Sequence, residues 1–243
     1  MKAFLLAAGK GTRLRPYTDT HPKCLIPIHG RPLLGIWVDL LARHGVTEVM
    51  INTHHHAGQV EQYVSRTVTT MTLHTAHEPQ LLGSAGTLWQ NRGFVADQCE
   101  FIIAYADNLT NIDLSKMIDI HRQFRSMGGV LTMGLFKATN PHACGIATLD
   151  EDNKIISFVE KPDHPESDLA NGGIYVASSQ IFDMMQNART DQSKVWDLGH
   201  HVLPLLIGKM YGFHIAPAYL KDIGTPEAYQ EALHQWPASE GVQ

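Results

Sequence analysis

The chain has 243 residues, 44% of them apolar and 18% charged, with a formal net charge of −5. That length supports one large domain with a sizeable core, and the mild acidity gives no electrostatic footprint for nucleic acid. No apolar run approaches the roughly 18 residues that read as a membrane span, so no membrane partner is expected. The N-terminus enters a strand directly rather than a signal peptide, which points to a cytoplasmic protein. The three cysteines, Cys24, Cys99 and Cys144, lack paired or metal-type spacing and read as reduced thiols. Fifteen scattered histidines make the charge pH-sensitive near neutrality without defining a function.

In chain order, the apolar run Ala3 to Ala7 reads as a first strand. It breaks into a loop with two glycines, Thr12, Arg13 and Arg15, closed by Pro16. Glycines permit close backbone approach, successive N–H groups form anion-binding concavities, and arginines supply forked cationic donors, so the loop suits phosphate. An amphipathic helix follows near Leu33 to His44, with Leu33, Ile36, Trp37, Leu40 and Leu41 on one face. Strand Glu48 to Asn52, helix Gln59 to Ser65, strand Met71 to Ala76 and helix Ala85 to Asn91 come next. Glu100 to Ala106 is a continuous apolar strand of the kind buried on both faces of a parallel sheet. Ser115 to Ser126 reads as helix and Val130 to Phe136 as strand. This βαβα order predicts an α/β fold, with an open, mixed, mostly parallel Rossmann-like sheet, helices on both faces and ligands at the carboxyl ends of strands.

From about Gly145 short strands take over: Gly145 to Leu149, Lys154 to Glu160 and Gly173 to Ala177. They suggest a smaller mixed subregion, at about residues 145–224, beside a part at about residues 1–144. A last helix, about residues 225–236, starts with Thr225 as N-cap, Pro226 in the first helical position and Glu227 in the first turn. No repeat or linker divides residues 1–243, which read as one domain.

Two familiar phosphate loops fail against residues 5–16. A Walker A loop needs four residues between its glycines, then Lys and Ser/Thr; here one residue separates Gly9 from Gly11. The dinucleotide fingerprint needs Gly or Ala where Leu14 stands, and no acidic residue follows at the required distance. The stretch L-A-A-G-x-G-T-R-L-x-P, with Pro22-Lys23 and Pro27, instead resembles the sugar-1-phosphate nucleotidylyltransferases. Later motifs fall in that family's order along the rest of the chain.

The resemblance implies transfer of a nucleotidyl group from a nucleoside triphosphate to a sugar 1-phosphate. It assigns Leu6, Ala7, Ala8, Gly9, Gly11 and Thr12 to nucleotide binding, and gives Arg13 and Lys23 catalytic contact with the triphosphate. Arg15 reads equally as a salt bridge within the loop. Asp107, at the end of the apolar strand, and Asp222 match the family's two Mg²⁺-binding carboxylates, against the plainer readings of turn or cap residues. Glu160-Lys161-Pro162 matches the motif in which Glu bonds sugar hydroxyls and Lys holds the sugar phosphate. Gly145 and Asn171 match sugar-side positions, and Asp197 is either a sugar contact or a helix N-cap.

Leu82-Gly83-Ser84-Ala85-Gly86 resembles the L-G-T-A-G segment frequent in guanylyltransferases of mannose 1-phosphate and manno-heptose 1-phosphate, departing at Ser84. Gly83, Ser84 and Gly86 thus join the nucleotide set, and GTP becomes the expected donor. The alternatives are a uridylyl-, cytidylyl- or thymidylyltransferase, or a nucleotide-sugar sensor that performs no transfer. His54-His55-His56 reads as a solvent-facing loop rather than a metal tract, because consecutive side chains diverge. Seven residues follow Trp236 (237–243), too few for a left-handed β-helix, so no second activity is expected. Oligomeric state is left open, a homodimer being the default.

Overall fold

A computed structural model describes residues 1–188 and 195–237. Its elements are β1 (Lys2–Leu6), β2 (Pro27–Ile28), β3 (Arg31–Pro32), α1 (Leu33–Arg43), β4 (Glu48–Thr53), α2 (Ala57–Arg66), β5 (Thr72–His77) and α3 (Ser84–Gln90). Then follow β6 (Glu100–Tyr105), β7 (Asn108–Thr110), α4 (Leu114–Ser126), β8 (Leu131–Lys137), β9 (Gly145–Leu149), β10 (Ile155–Glu160) and β11 (Leu169–Ser178). The chain closes with α5 (Ile181–Ala188), α6 (Leu198–His201), β12 (Met210–His214), β13 (Leu220–Asp222) and α7 (Pro226–Gln235).

Nine strands form one mixed sheet. β6, β1, β4 and β5 run parallel, in register from Lys2 beside Glu48 and Phe101 to Leu6 beside Asn52 and Tyr105. The carboxyl ends of β1, β4 and β6 therefore open on one edge, where an α/β sheet presents its ligands. β11 runs antiparallel between β6 and β8, and β12 lies parallel beside β8. The β9–β10 hairpin joins the start of β11 through Ala170 and Ile146.

The period-two alternation of strands explains the two-sided core. Ala3, Leu5, Ile102 and Ala104 face α1, α2 and α4. Phe4, Leu6, Phe101 and Ile103 face α3, α5 and α6. A third cluster joins Leu14 and Ile26 of the N-terminal loops to Leu33 and Ile36 of α1 and to Tyr229 and Ala232 of α7. The predicted apolar face of α1 thus packs against both the sheet and the C-terminal helix. That helix begins as read, with Thr225 Oγ1 accepting from the Ala228 N–H at 3.2 Å and Pro226 in its first turn.

β11 departs from expectation. The sequence reading starts a strand at Gly173, whereas the strand begins at Leu169 and shifts register between Asn171 and Tyr175. The irregularity falls on Gly172-Gly173, where glycines mask the alternation by which a strand is recognised.

Candidate active site

The loop after β1 is tightened by three 3-10 turns, Thr12–Leu14, Tyr17–Asp19 and Lys23–Leu25. Gly11 sits at φ +64°, and a Cβ there would stand 2.8 Å from Thr18 Cγ2, so the position suits glycine alone. The Thr18 hydroxyl donates to the Gly11 carbonyl at 2.7 Å, closing the loop on itself. Gly9 and Lys10 are exposed beside it, and Arg15 pairs with Asp19 at 3.2 Å, the loop salt bridge that the sequence left open.

Lys23 is the centre of the charge arrangement. It is only 7% exposed, and its Nζ donates to Asp107 Oδ2 at 2.6 Å and to Asp222 Oδ1 at 3.2 Å. Burial alone would lower its pKa, but the two carboxylates outweigh burial and raise it, so the ammonium is held charged. Desolvation and repulsion from Asp107 raise the pKa of Asp222. Two carboxylates converging on one cation make a hard-oxygen donor set. Cys24, next in sequence, is buried with its thiol pushed up to about 12, too high for a nucleophile.

Asp107 lies in the turn between β6 and β7. Its carbonyl accepts from the Ile223 N–H at 3.0 Å, and the antiparallel pair of β7 and β13 sets Asn108 opposite Asp222. Trp37, fully buried on α1, donates from Nε1 to the Asn108 carbonyl at 2.7 Å and fixes that turn from below.

A cavity of about 690 Å³ opens beside these groups. Arg13, Asp107 and Asp222 line it from one side, and Gly145, Glu160, Asn171 and Asp197 from the other. Seven residues that lie far apart along the chain thus meet around one space. Arg13 makes no hydrogen bond among the described residues, leaving its guanidinium available, and its charge reaches Asp222.

Glu160 ends β10 with its carboxyl pKa raised by burial, an effect that Lys161 and His200 oppose. A Cβ on Gly145 or on Gly199 would come within 2.6 Å of Glu160 Oε2, so this carboxylate needs two bare backbones around it. Asn171 is internally bonded: Nδ2 donates to the Tyr175 hydroxyl at 2.7 Å and Oδ1 accepts from the Gly173 N–H at 2.9 Å. Lys161 stands outside the cavity lining, exposed and at φ +49°.

Asp197 is an N-cap: Oδ1 accepts from the His200 N–H at 3.1 Å. Its other oxygen accepts from the Ser84 hydroxyl at 2.9 Å, and Ser84 Oγ accepts from the Leu198 N–H at 2.8 Å. The one departure from L-G-T-A-G therefore links α3 to the far wall of the cavity. Gly83, at φ +80°, would put a Cβ 2.5 Å from the Trp196 carbonyl, and the Gly86 N–H donates to that carbonyl at 3.0 Å. Packing against Trp196 thus accounts for glycine at position 83.

Sequence reasoning missed Asn52, Glu78, Thr87 and Tyr105. Half-buried Tyr105 lines the cavity, and desolvation holds its hydroxyl protonated. No motif marks Asn52, Glu78 or Tyr105, each a polar residue at or just past the end of a strand, and Thr87 lies in α3 directly after the Leu82–Gly86 segment. The histidine tract is half-buried rather than solvent-facing. His54 Nδ1 lies 2.7 Å from the Glu78 carbonyl, and the His55 and His56 rings are 4.0 Å apart.

The nucleotidyl transferase family model matches residues 2–238, and the chain belongs to that family. It is 28% identical to a mannose-1-phosphate guanylyltransferase of Mycobacterium tuberculosis over 93% of this chain and 62% of that protein. It is 30% identical to a UTP–glucose-1-phosphate uridylyltransferase of Synechocystis, covering 96% of this chain and 62% of that one. The chain thus spans about three fifths of these two relatives. A D-glycero-alpha-D-manno-heptose 1-phosphate guanylyltransferase of Aneurinibacillus thermoaerophilus is 29% identical, with 96% of both chains covered. Among solved structures, HddC of Yersinia pseudotuberculosis complexed with GMP-PN superposes with a TM-score of 0.78 at 23% identity, covering 97% of this chain and 99% of that one. A Bacillus anthracis protein in complex with sucrose superposes with a TM-score of 0.86 at 23% identity, covering 100% and 97%. These likenesses establish the α/β fold. No described helix is long and apolar enough to cross a membrane.

Proposed function

We propose that this chain is a sugar-1-phosphate nucleotidylyltransferase. The observation that carries the reading is the single cavity where Arg13, Asp107 and Asp222 face Gly145, Glu160 and Asn171. A sugar 1-phosphate has a second pKa near 6, so its attacking oxygen is already anionic at about pH 7 and needs no general base. That oxygen bonds to the α-phosphorus of the nucleoside triphosphate, the bond to the β-phosphate bridge breaks, and pyrophosphate leaves. Two polyanions must meet in line, so the task of the site is alignment and charge neutralisation.

Arg13 supplies forked donors to the triphosphate, and Lys161, on the turn after Glu160, would hold the sugar phosphate. The loop from Leu6 through Ala7, Ala8, Gly9, Gly11 and Thr12 offers backbone N–H groups to phosphate oxygens. Asp107 and Asp222 would hold a divalent cation, Mg²⁺ by preference. The fit rests on their convergence upon Lys23 Nζ, which shows that both carboxylates reach one cation at 2.6 and 3.2 Å. Mg²⁺ is commonly held by one or two carboxylates with phosphate oxygens completing its shell. When bound it supplies charge neutralisation at those oxygens. Glu160, Asn171 and Asp197 face the sugar.

GTP and a manno-configured sugar 1-phosphate are the substrates we assign. Their support is the Leu82–Gly86 segment and similarity to two proteins named as guanylyltransferases of such sugars. A uridylyltransferase is the second reading, favoured by the 30% identity to the Synechocystis protein. The test is Asp107→Asn, assayed for pyrophosphate release. Turnover is expected to fall by about 100-fold or more with the fold intact. Near-normal turnover in that variant would remove the cation from Asp107.

A further inference from the structure

A buried polar network joins the two segments assigned to the nucleotide. Asn52 is 4% exposed, Glu78 3% and Thr87 1%. Asn52 Nδ2 donates to Glu78 Oε1 at 2.8 Å and to Thr87 Oγ1 at 3.0 Å. The Thr87 hydroxyl donates to the same Glu78 oxygen at 2.5 Å, and the Leu82 N–H donates to Glu78 Oε2 at 3.1 Å. Asn52 Oδ1 accepts from the Ala7 N–H at 2.6 Å.

These partners orient the Asn52 amide without ambiguity. A carboxylate only accepts, so the amide nitrogen must face Glu78 and the amide oxygen must face Ala7. Ala7 is the first residue of the loop after β1, and Leu82 to Thr87 carries Gly83, Ser84 and Gly86. One carboxylate therefore sets the spacing between the phosphate loop and the α3 segment, by direct bonds on one side and through Asn52 on the other. Three donors occupy its oxygens and almost none of its surface is open, so it is placed to orient rather than to touch a ligand. Charge-assisted bonds in a buried setting are the strong ones, which suits a residue that fixes geometry.

We propose that Glu78, acting through Asn52, is a positioning residue for the nucleoside triphosphate, holding the Ala7 loop and the Leu82–Gly86 segment at the spacing the nucleotide requires. The proposal rests on the nucleotidylyltransferase reading. Its site of action is the nucleotide half alone, so the sugar phosphate is bound independently of it.

The experiment compares Glu78→Gln, Asn52→Asp and the two together. Gln at 78 turns a donor toward the donors that surround it; Asp at 52 sets carboxylate against carboxylate. In the double variant the glutamine amide donates to the new carboxylate, which still accepts from the Ala7 N–H, so the link is rebuilt with roles exchanged. Binding of GTP and UTP is measured by calorimetry, alongside KM for mannose 1-phosphate and the melting temperature. Each single variant is expected to weaken both nucleotides by about tenfold, the worth of one hydrogen bond to a charged group. The KM for the sugar phosphate stays within about twofold, and the double variant recovers most of the nucleotide affinity, as coupled partners do.

A change in preference between GTP and UTP would overturn the proposal by showing that Glu78 reads the base. Lower melting temperatures with unchanged nucleotide affinity would overturn it by showing a structural role only. A double variant no better than the singles would break the link through Asn52. Should a single variant fail to fold, Thr87→Val removes one donor to the same carboxylate, and a smaller loss in the same direction is expected; unchanged affinity would contradict the proposal. Intact nucleotide binding without turnover in the wild type would condemn the enzymatic reading while leaving the affinity series to decide the network.

Discussion

Lys23 shows how much one residue carries. Its ammonium neutralises Asp107 and Asp222 from inside the fold, so Lys23→Met removes that cation and leaves two carboxylates repelling each other. Stability is expected to drop by about 1–3 kcal/mol in urea unfolding, less than for a fully buried pair because both carboxylates reach solvent. Unchanged stability would mean that water already screens the pair. Glu160 offers a second test. Gly199→Ala places a Cβ 2.6 Å from Glu160 Oε2 and 3.2 Å from Asp197 Oδ1, displacing the carboxylate that we propose faces the sugar. The KM for the sugar 1-phosphate is expected to rise by about tenfold or more while the KM for the nucleotide stays put, a split that a general loss of packing would not give. Asp107, Asp222 and Lys23 were each legible in the sequence as charged strand-end or loop residues. Their mutual contact was not, because 84 and 199 residues separate Lys23 from its two partners.

Among the elements, α4 holds a titratable group at its packed face. His121 is fully buried, its Nδ1 2.9 Å from Thr132 Oγ1 on β8. Burial, helped by Arg125 and Arg122 and opposed by Glu100, lowers its pKa to about 4. The folded value lies below the unfolded one, so unfolded chains take up a proton that native chains refuse. The stability contribution is complete above about pH 6.5 and is lost on acidification towards pH 4, by at most about 1.4 kcal/mol per pH unit. Urea unfolding between pH 7 and pH 4.5 should show this slope in the wild type and a shallower one in His121→Gln; equal slopes would place the titration elsewhere. Helices and parallel strands were readable here because their apolar periods differ, as α1 and β6 show. Short pieces such as β7 and β13 were not, since three residues carry no period, yet their pairing sets Asn108 opposite Asp222.

On the scale of the whole molecule, the sheet brings the ends of β1, β4 and β6 to one edge, and β11 carries Asn171 to the same cavity. The phosphate loop, the strand-end aspartates and the Glu160 turn could be read in order along the chain because each has its own local chemistry. The Asn52–Glu78–Thr87 network could not, since a lone polar residue beside a strand looks alike whether it is solvated or bonded in the interior. The C-terminal helix closes the assembly, Tyr229 donating to the Pro27 carbonyl at 2.7 Å below the loops that hold Lys23. Binding at such a site should stabilise the whole fold, by about 2.7 kcal/mol when the ligand is at 100 times its Kd; GTP with Mg²⁺ should raise the melting temperature accordingly, and no shift at saturating nucleotide would argue against a nucleotide site. The most direct measurement is phosphorus NMR of the wild-type protein with Mg²⁺, one sugar 1-phosphate at a time, and GTP, UTP, CTP, dTTP or ATP. Pyrophosphate is expected together with the diphosphate-diester signals of a nucleoside diphosphate sugar, strongest with GTP and mannose 1-phosphate or manno-heptose 1-phosphate. Nucleotide bound but never consumed, with every sugar 1-phosphate, would contradict that expectation.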